Sequence, residues 1–422
     1  MACRLFSALL ALCFTTQVFA NADQDARIAA LEARVAQLES LLIGLGARPE
    51  ETEPPAATEP VPTLNVGGRI KVDFVANSSS TGGTGGRNRG DVQFLPRAIP
   101  INDVGEHNQL SGNARDSRIW LSASTPTQVG ELGAYLELDF GSFDNSATEA
   151  VSNSHNPRLR HGYATFRGFT IGQTASTFQD NRSFPEINDA LGPAGVLNVR
   201  QPLVRYETGG PTWRWANALE QPETTLVDTA GVRSSPDDDR WPDYVSRISH
   251  TRDRSRWSVA LLVRELRLDD GTGARDTLAT GVSATGRLYV DNANNFRFTL
   301  AGGEGIGRYL SYNAFSDALL EDSGGLTAIP AWGGFASYQH WWGERWRTNL
   351  AVGYANSDVP DALAGLDTVN RRFVSSHLNL LWSPVPDATF GLEWLYGKRE
   401  VASGLTADLH RLQFTSVYNF RR

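Results

Sequence analysis

The end of the chain alternates between apolar and polar side chains. Residues 412–420 read Leu-Gln-Phe-Thr-Ser-Val-Tyr-Asn-Phe, with large apolar groups at Leu412, Phe414, Tyr418 and Phe420. A period of two places alternate side chains on opposite faces of a β-strand. One face of this strand is therefore apolar and the other is polar. Repeated through a whole domain of an exported chain, this pattern is typical of a β-barrel whose strands cross a membrane.

The first twenty residues have the features of a secretory signal. Arg4 precedes an apolar run from Leu5 to Phe14, and small residues follow. Cleavage fits either after Ala20 or after Ala22. The apolar run is too short to span a bilayer as a helix. We therefore predict a signal peptide over residues 1–20.

The rest of the composition excludes several classes of site. Both cysteines, Cys3 and Cys13, lie in the signal segment, so the mature chain has no disulfide and no thiolate ligand. No apolar run of 18 residues follows the signal, so any membrane span must be a β-strand. The net charge of −8 argues against a nucleic-acid partner. We expect neither a cofactor nor a bound metal.

Two segments precede the predicted barrel. Within residues 21–48 a heptad pattern predicts a coiled-coil helix in the periplasm, formed by Ile28, Leu31, Val35, Leu38, Leu42 and Leu45. The alternative is a lone amphipathic helix packed on the barrel. Residues 49–62 contain five prolines and four glutamates and predict an extended linker. A β-branched residue at position a with Leu at d would by itself favour a two-stranded coiled coil.

Sixteen strand candidates follow the linker over residues 63–422. They begin near Leu64, Ala114, Glu131, Arg158, Phe169, Leu203, Thr212, Asp243, Arg256, Leu278, Asn295, Ala331, Arg345, Arg371, Ala388 and Ala407. The connections after even-numbered strands are short, and most of those after odd-numbered strands are long. Short turns at one rim and long loops at the other are typical of outer-membrane barrels. The sequence therefore predicts an all-β, 16-stranded antiparallel transmembrane barrel.

The predicted barrel has an apolar outer face and a charged inner face. Ile70, Val72 and Phe74 would face lipid on the first strand. The residues that alternate with them would face the lumen. The fourth strand is ambiguous, because His161 and Tyr163 share a face. The connection over residues 176–202 contains Phe178, Phe184 and Leu191 and is too apolar for solvent. We predict that it folds inward as a constriction loop.

The charged residues of the lumen suggest a preference for anions. The chain has 37 Arg against two Lys, which fits either the codon usage of a GC-rich genome or carboxylate recognition by guanidinium groups. A ring of arginines favours anions. In the alternative reading, some of these cations pair with Asp73, Glu137, Asp139, Glu186 or Asp189 and only hold the loop. The predicted pore-lining set is Arg69, Lys71, Arg118, Arg160, Arg182, Arg200, Arg205 and Arg247, with Asp73, Glu137 and Asp139 as acidic partners.

Several stretches resemble the DcaP-like outer-membrane porins. They are Val66 to Asp73, Arg115 to Arg118, Gly133 to Phe140, Thr170 to Phe178 and Arg200 to Tyr206. The helix and linker before the barrel are also similar to that family. The resemblance implies a homotrimer of sixteen-stranded barrels, a three-stranded periplasmic coiled coil, and uptake of small organic acids such as dicarboxylates. One difference from the family is that Arg421 and Arg422 follow the aromatic Phe420.

These observations favour a porin of the bacterial outer membrane for small, anionic organic solutes. We expect outer-membrane lipid and lipopolysaccharide around the barrel and small organic acids as permeants. One alternative is a plugged or weakly conducting barrel that acts as a structural or surface-interaction protein. Another is a barrel lipase. An enzyme is disfavoured, because the stretch from Gly281 to Thr285 lacks the last glycine of a nucleophile elbow.

Overall fold

The computed structural model describes residues 29–37, 40, 62–79, 89–101, 107–141, 152–271 and 273–421. Residues 29–37 and 40 are helical, and Leu31 and Val35 are exposed on this segment. The other heptad positions (Ile28, Leu38, Leu42 and Leu45), the predicted signal peptide and residues 49–61 of the predicted linker lie outside the described residues. No helix in the described ranges is both long and apolar enough to cross a membrane.

Within the described ranges the chain forms twenty-one strands. In chain order they are β1 (Thr63–Ser79), β2 (His107–Asn113), β3 (Arg118–Thr127), β4 (Gly130–Asp139), β5 (Arg158–Phe166), β6 (Phe169–Ala175), β7 (Arg200–Gly209), β8 (Trp213–Glu220), β9 (Leu226–Asp228), β10 (Arg233–Ser234), β11 (Asp243–Arg252), β12 (Ser255–Asp269), β13 (Ala274–Tyr289), β14 (Asn295–Glu304), β15 (Ala318–Leu320), β16 (Leu326–Ala328), β17 (Pro330–Trp341), β18 (Trp346–Ser357), β19 (Asn370–Val385), β20 (Ala388–Val401) and β21 (Thr406–Arg421). One helical turn, α1 (Arg89–Val92), follows β1.

Sixteen of these strands close into an antiparallel barrel, as predicted. The ring runs β1, β3 to β8, β11 to β14 and β17 to β21, and β21 pairs with β1 to complete it. The strand β2 pairs with the second half of β1, next to the part of β1 that pairs with β3. A separate four-stranded sheet has the order β10-β9-β15-β16, with β9 and β15 parallel.

Short turns alternate with long connections around the ring. The turn between β5 and β6 consists of Arg167 and Gly168, whose φ angles are 48° and 87°. Two consecutive positive φ angles are the geometry of the type I′ hairpin turn, which matches the twist of the flanking strands. Long connections follow β4, β6, β8 and β14 on the opposite rim.

Alternate side chains face opposite sides of the wall. On β1, Ile70 is 52% exposed on the outer face, whereas the adjacent Lys71 is 4% exposed. Phe296 and Leu300 of β14 and Leu350 and Val352 of β18 are likewise exposed on the outside. Successive side chains of a strand point to opposite faces, so every second residue is exposed and the ones between are buried. The predicted apolar outer face and polar inner face are confirmed.

Candidate functional site

The connection from β6 to β7, residues 176–199, is here called the inner loop. Two predicted site residues hold its first turn. Arg205 of β7 donates to Thr177 Oγ1 at 2.8 Å and to the Ala175 carbonyl at 2.6 Å. Arg247 of β11 donates to the carbonyls of Thr177 and Gln179. These two guanidinium groups therefore brace the inner loop through oxygen atoms that are not carboxylates.

From residue 180 onward the inner loop follows the inside of the wall. Its contacts move from β12 through β14 and β18 to β20 and β21, in chain order. They are Asp180 with Arg256 at 2.6 Å, the Phe184 carbonyl with Arg297 at 2.6 Å, Glu186 with Arg347 at 2.9 Å, the Asn188 amide with Glu393 at 2.6 Å, and Asp189 with Arg411 at 3.2 Å. The inner loop therefore lines the half of the barrel that runs from β12 to β21.

The inner loop then turns back across β17, β18 and β19. The Ala194 amide donates to Ser375 Oγ at 2.9 Å. Gly195 has a φ of 79°, and a Cβ atom there would lie 2.2 Å from the Tyr354 carbonyl oxygen and 2.3 Å from the Gly334 amide nitrogen. Only glycine fits both the left-handed backbone and this close approach.

Apolar burial adds to these polar anchors. A cluster between the inner loop, the β14–β17 connection and the wall includes Phe178, Tyr309, Leu310, Phe315 and Phe373, each 2% exposed or less. Full burial of such side chains contributes about 1.5–3 kcal/mol each. A core of this size inside the barrel holds the inner loop in one position.

A second inward segment comes from the β1–β2 connection. Residues 89–101 include Phe94, whose amide donates to Asp189 Oδ2 at 2.6 Å and whose ring packs edge-on against His377 of β19. The Ile99 carbonyl accepts from Arg399 Nη1 of β20 at 2.8 Å. This segment therefore also packs on the side of the barrel that the inner loop covers.

The opposite side of the barrel carries the remaining cations. We define the arginine wall as six residues of β1, β3, β5 and β7. Arg69, Arg118, Arg158, Arg160 and Arg205 lie at inward-facing positions, and Arg200, at the start of β7, lies within electrostatic range of Arg158 and Arg160. No hydrogen bond or ion pair joins the first four of these residues to the inner loop within the described ranges. The part of the arginine wall on β1, β3 and β5 therefore faces the part of the lumen that the inner loop leaves open.

Three cations of the arginine wall form ion pairs. Asp139 accepts from both Arg158 and Arg160 at 2.7 Å. Glu137 accepts from Arg160 at 2.7 Å and lies 3.5 Å from Arg118. Because Asp139 is fully buried and Glu137 nearly so, these two carboxylates hold the cations in place and are not accessible to a solute.

The other cations of the arginine wall have no carboxylate within 4 Å among the described residues. Arg69 donates to the Asp116 carbonyl at 3.2 Å, and Arg205 donates to the inner loop as described above. The Arg200 side chain makes no hydrogen bond or ion pair within the described residues, although it lies within electrostatic range of Arg160. Surplus positive charge in a confined aqueous space attracts anions.

The remaining predicted site residues lie elsewhere. Lys71 and Asp73 form a buried pair on β1 at 2.6 Å, and Asp73 also accepts from Gln413 and Thr415 of β21. Arg182 lies at a 3₁₀ turn of the inner loop (Asn181–Ser183) with its side chain exposed. The structure therefore brings together Arg69, Arg118, Arg160 and Arg200, whereas Lys71 is enclosed and Arg205 and Arg247 brace the loop.

Asp180 marks the point where the inner loop reaches β12. Burial alone would raise the pKa of this carboxyl group, but the guanidinium groups of Arg247 and Arg256 outweigh burial and lower the pKa below its usual range. Asp180 is therefore ionised at neutral pH. Its ion pair with Arg256 fixes the loop under those conditions.

A β-bulge increases the number of inward side chains on β5. Glu137 pairs with His161, but the next pair is Leu138 with Leu159, so β5 has one extra residue. His161 Nδ1 lies 2.9 Å from Thr174 Oγ1 of β6. Arg158, Arg160, His161 and Tyr163 thus all face inward, which resolves the predicted ambiguity of this strand.

Sequence reasoning did not single out Arg158, Arg256 or Arg347 as site residues. All three lie at strand positions that alternate with the lipid-facing ones, so their side chains point inward. The alternation of polar and apolar residues could therefore have identified them. The role of residues 89–101 had no comparable signal, because no periodic pattern predicts how a loop packs. The described residues contain no group of three His, Cys, Asp or Glu side chains placed to hold a metal ion.

A family model described as DcaP outer membrane protein matches residues 68–420. The crystal structure of the outer membrane channel DcaP of Acinetobacter baumannii superposes with a TM-score of 0.73 at 21% identity, covering 85% of this chain and 97% of that one. No protein of curated function matches the chain by sequence.

More distant porins share the same fold. The anion-selective porin from Comamonas acidovorans superposes with a TM-score of 0.53 at 11% identity, covering 85% of this chain and all of that one. OmpT of Vibrio cholerae, in its trimer form, gives a TM-score of 0.50 at 9% identity with coverages of 85% and 100%. At these identities the likeness shows the barrel fold alone.

Proposed function

Because this chain belongs to the DcaP outer membrane protein family, we propose that it is a porin for passive uptake of small, anionic organic solutes such as dicarboxylates. One observation carries the proposal: the inner loop covers the side from β12 to β21, and the opposite side carries the arginine wall. Solutes passing between them meet cations held at fixed positions. Fixed charges need no reorganisation when an anion arrives, so they favour entry.

The balance of charge supports anions over cations. Leaving aside Arg205, which lies beside Glu207 and Glu220, the arginine wall and Lys71 contribute six cations, whereas Asp73, Asp116, Glu137 and Asp139 contribute four carboxylates. The carboxylates are buried, and three of the guanidinium groups have no carboxylate partner among the described residues. A permeating organic anion therefore meets guanidinium donors, which match the geometry of a carboxylate.

The assembly proposed for this porin is a homotrimer in the bacterial outer membrane with an N-terminal coiled coil in the periplasm. A porin of the same fold, OmpT, has a trimer form. The helical residues 29–37 include two apolar heptad positions, Leu31 and Val35, that are exposed in the single chain. A helix with an exposed apolar stripe gains stability by pairing with copies of itself.

Swelling of proteoliposomes tests the proposed function directly. Purified protein in lipid vesicles is exposed to isosmotic succinate, to doubly protonated ethylenediamine and to a neutral sugar of similar size. We expect swelling to be fastest with succinate, because the arginine wall attracts anions and repels cations. Equal rates for succinate and the dication, or no swelling with any of the three solutes, would contradict the proposal.

A further inference from the structure

Three aromatic side chains form a row on the inner face of β3, β4 and β5. They are Trp120, Tyr135 and Tyr163, and each is half-buried, so part of every ring is open to the lumen. The ring centres of Trp120 and Tyr135 are 6.3 Å apart with 24° between the ring planes, and those of Tyr135 and Tyr163 are 5.5 Å apart at 32°. Rings this close and this nearly parallel form one continuous aromatic surface. We call these three residues the aromatic shelf.

The barrel wall fixes the rings of the aromatic shelf in place. Gly67 of β1 pairs with Trp120, and a Cβ atom there would lie 2.2 Å from the indole ring. Only glycine therefore lets this ring lie against the wall. Tyr135 donates its hydroxyl to Glu137 Oε2 at 2.7 Å. A solute that binds to the shelf does not have to order these side chains, so little of its binding free energy is lost.

A guanidinium group with open donors lies next to the aromatic shelf. Arg118 precedes Trp120 by two residues on the same face of β3, which places their Cα atoms about 7 Å apart. In the described part of the chain, the ion pair of Arg118 is a single 3.5 Å contact with Glu137, and the Arg118 side chain is 23% exposed. A carboxylate can accept two parallel hydrogen bonds from such a group. Ring and charge are thus separated by about the length of one sugar ring.

Free hydroxyl groups border the aromatic shelf. Ser122 lies directly opposite Tyr135, and Thr165 lies two residues beyond Tyr163 on the same inner face. The hydroxyl groups of Ser122, Thr165 and Tyr163 make no hydrogen bond within the described ranges, and neither does the indole N–H of Trp120. An apolar ring on the shelf would leave these groups unpaired. A sugar ring offers them hydroxyl partners while its C–H face lies on the aromatic rings.

We propose that the aromatic shelf, the hydroxyl groups beside it and Arg118 form a binding site for a sugar acid such as a hexuronate. The C–H face of the pyranose ring lies on the shelf, and the carboxylate pairs with Arg118. The proposal rests on the porin function proposed above and extends it, because the charge of the arginine wall does not distinguish a ring-shaped anion from a linear one. The site is open on the lumen side, so the solute is held weakly enough to leave.

Glucuronate and gluconate provide the test. Both are six-carbon acids with one negative charge, but only glucuronate forms a pyranose ring. Each is added to purified protein in planar bilayers, and the concentration that halves the chloride current is measured. For the wild-type protein we expect half block at about three- to tenfold lower concentration with glucuronate than with gluconate, because only the ring form stacks on the shelf.

Two substitutions separate the contribution of the aromatic shelf from that of charge. Trp120→Leu removes the indole ring, so half block by glucuronate should move to the concentration needed with gluconate. Tyr163→Phe keeps the ring but removes the hydroxyl, so it should weaken the block by glucuronate and leave the block by gluconate unchanged. Trp346→Leu and Tyr418→Phe, on the outer face of the barrel, are the matched controls. Heat-dependent mobility in gels checks that each variant has folded.

The outcomes separate the sugar-acid site from the porin function. If glucuronate and gluconate block the wild type equally, and Trp120→Leu behaves like Trp346→Leu, the site is refuted and the porin function stands. Stronger block by benzoate than by glucuronate would show that the shelf binds apolar rings, which also refutes the sugar-acid site. If the wild-type protein conducts cations in preference to chloride, or conducts nothing, both proposals are refuted.

Discussion

Arg347 of β18 and Glu186 of the inner loop form a two-contact ion pair, with Arg347 Nε 2.9 Å from Glu186 Oε2. Strand β18 lies on the opposite side of the sixteen-strand ring from β6 and β7, between which the inner loop begins and ends. The pair is therefore the farthest anchor of the loop. It holds the loop against the side of the barrel that lies opposite most of the arginine wall.

Loss of this anchor should release the middle of the inner loop. We expect Glu186→Gln to raise the noise of the open channel and to destabilise the fold by about 1–2 kcal/mol, because a charge-assisted hydrogen bond is lost at a partly exposed site. Single-channel recording measures the noise. Glu344→Gln, in the exposed turn before β18, is the control, and equal noise in both variants would contradict the role of Glu186.

Asp139 holds two guanidinium groups of the arginine wall at once. Asp139→Asn removes the charge that both Arg158 and Arg160 pair with. Since the side chain is fully buried, we expect a loss of about 3 kcal/mol in the free energy of unfolding and a stronger preference for anions. Urea unfolding in detergent measures the first effect, and reversal potentials measure the second.

The matched control for Asp139 is Asp253→Asn. Asp253 is 91% exposed and its partner Arg252 is 83% exposed, so its loss should cost well under 1 kcal/mol. A cost for Asp139→Asn that is no larger than that of Asp253→Asn would show that the buried pairs do not position the arginine wall.

Gly195 allows the inner loop to touch the wall. A methyl group there would overlap backbone atoms of Tyr354 and Gly334. We expect Gly195→Ala to displace the loop and to destabilise the protein by about 1 kcal/mol or more. Besides the overlap, alanine is strained in the left-handed backbone conformation that glycine adopts here. Gly210→Ala, which meets no atom within 4 Å, should have no effect on conductance or on unfolding. Identical conductance in the two variants would contradict the packing described here.

The ion pair between Asp180 and Arg256 predicts how the channel responds to acid. The pKa of Asp180 is lowered in the folded protein, so the pair stabilises the fold fully above the unfolded pKa of about 3.9. That stabilisation is lost as the pH falls through the lower folded pKa. We expect channel noise to be constant from pH 7 to about pH 5 and to rise only in stronger acid.

Asp180→Asn should reproduce the acid behaviour at neutral pH. Its noise at pH 7 should match that of the wild type in strong acid, and it should change little with further acidification. A rise of wild-type noise between pH 7 and pH 5, with no effect of Asp180→Asn, would place the acid-sensitive group elsewhere.

The sequence predicts the barrel well because strand formation leaves a local signal. Most of the sixteen strands alternate in polarity, and turn residues such as Arg167 and Gly168 mark their ends. The DcaP resemblance seen in motifs such as Arg200 to Tyr206 is confirmed by the family match. These signals depend on neighbours within a few positions, so they are readable without any knowledge of tertiary contacts.

The interior of the lumen is less predictable because its contacts are distant in sequence. Phe94 contacts Asp189, and Asn188 contacts Glu393, but no local pattern pairs these positions. The bulge that turns both Arg160 and His161 inward breaks the period of two on which the assignment of faces rests. The left-handed backbone of Ser311, Tyr312 and Asn313, with φ angles of 48°, 62° and 60°, is equally invisible, since none of the three is a glycine.

The reversal potential in a KCl gradient tests the central claim most directly. On purified protein in a planar bilayer, we predict a potential that shows preference for chloride over potassium. The combined substitutions Arg118→Gln, Arg200→Gln and Arg205→Gln should abolish that preference, whereas Arg252→Gln, at the exposed end of β11, should leave it intact. A preference for potassium in the wild-type protein, or the absence of any current, would contradict the account.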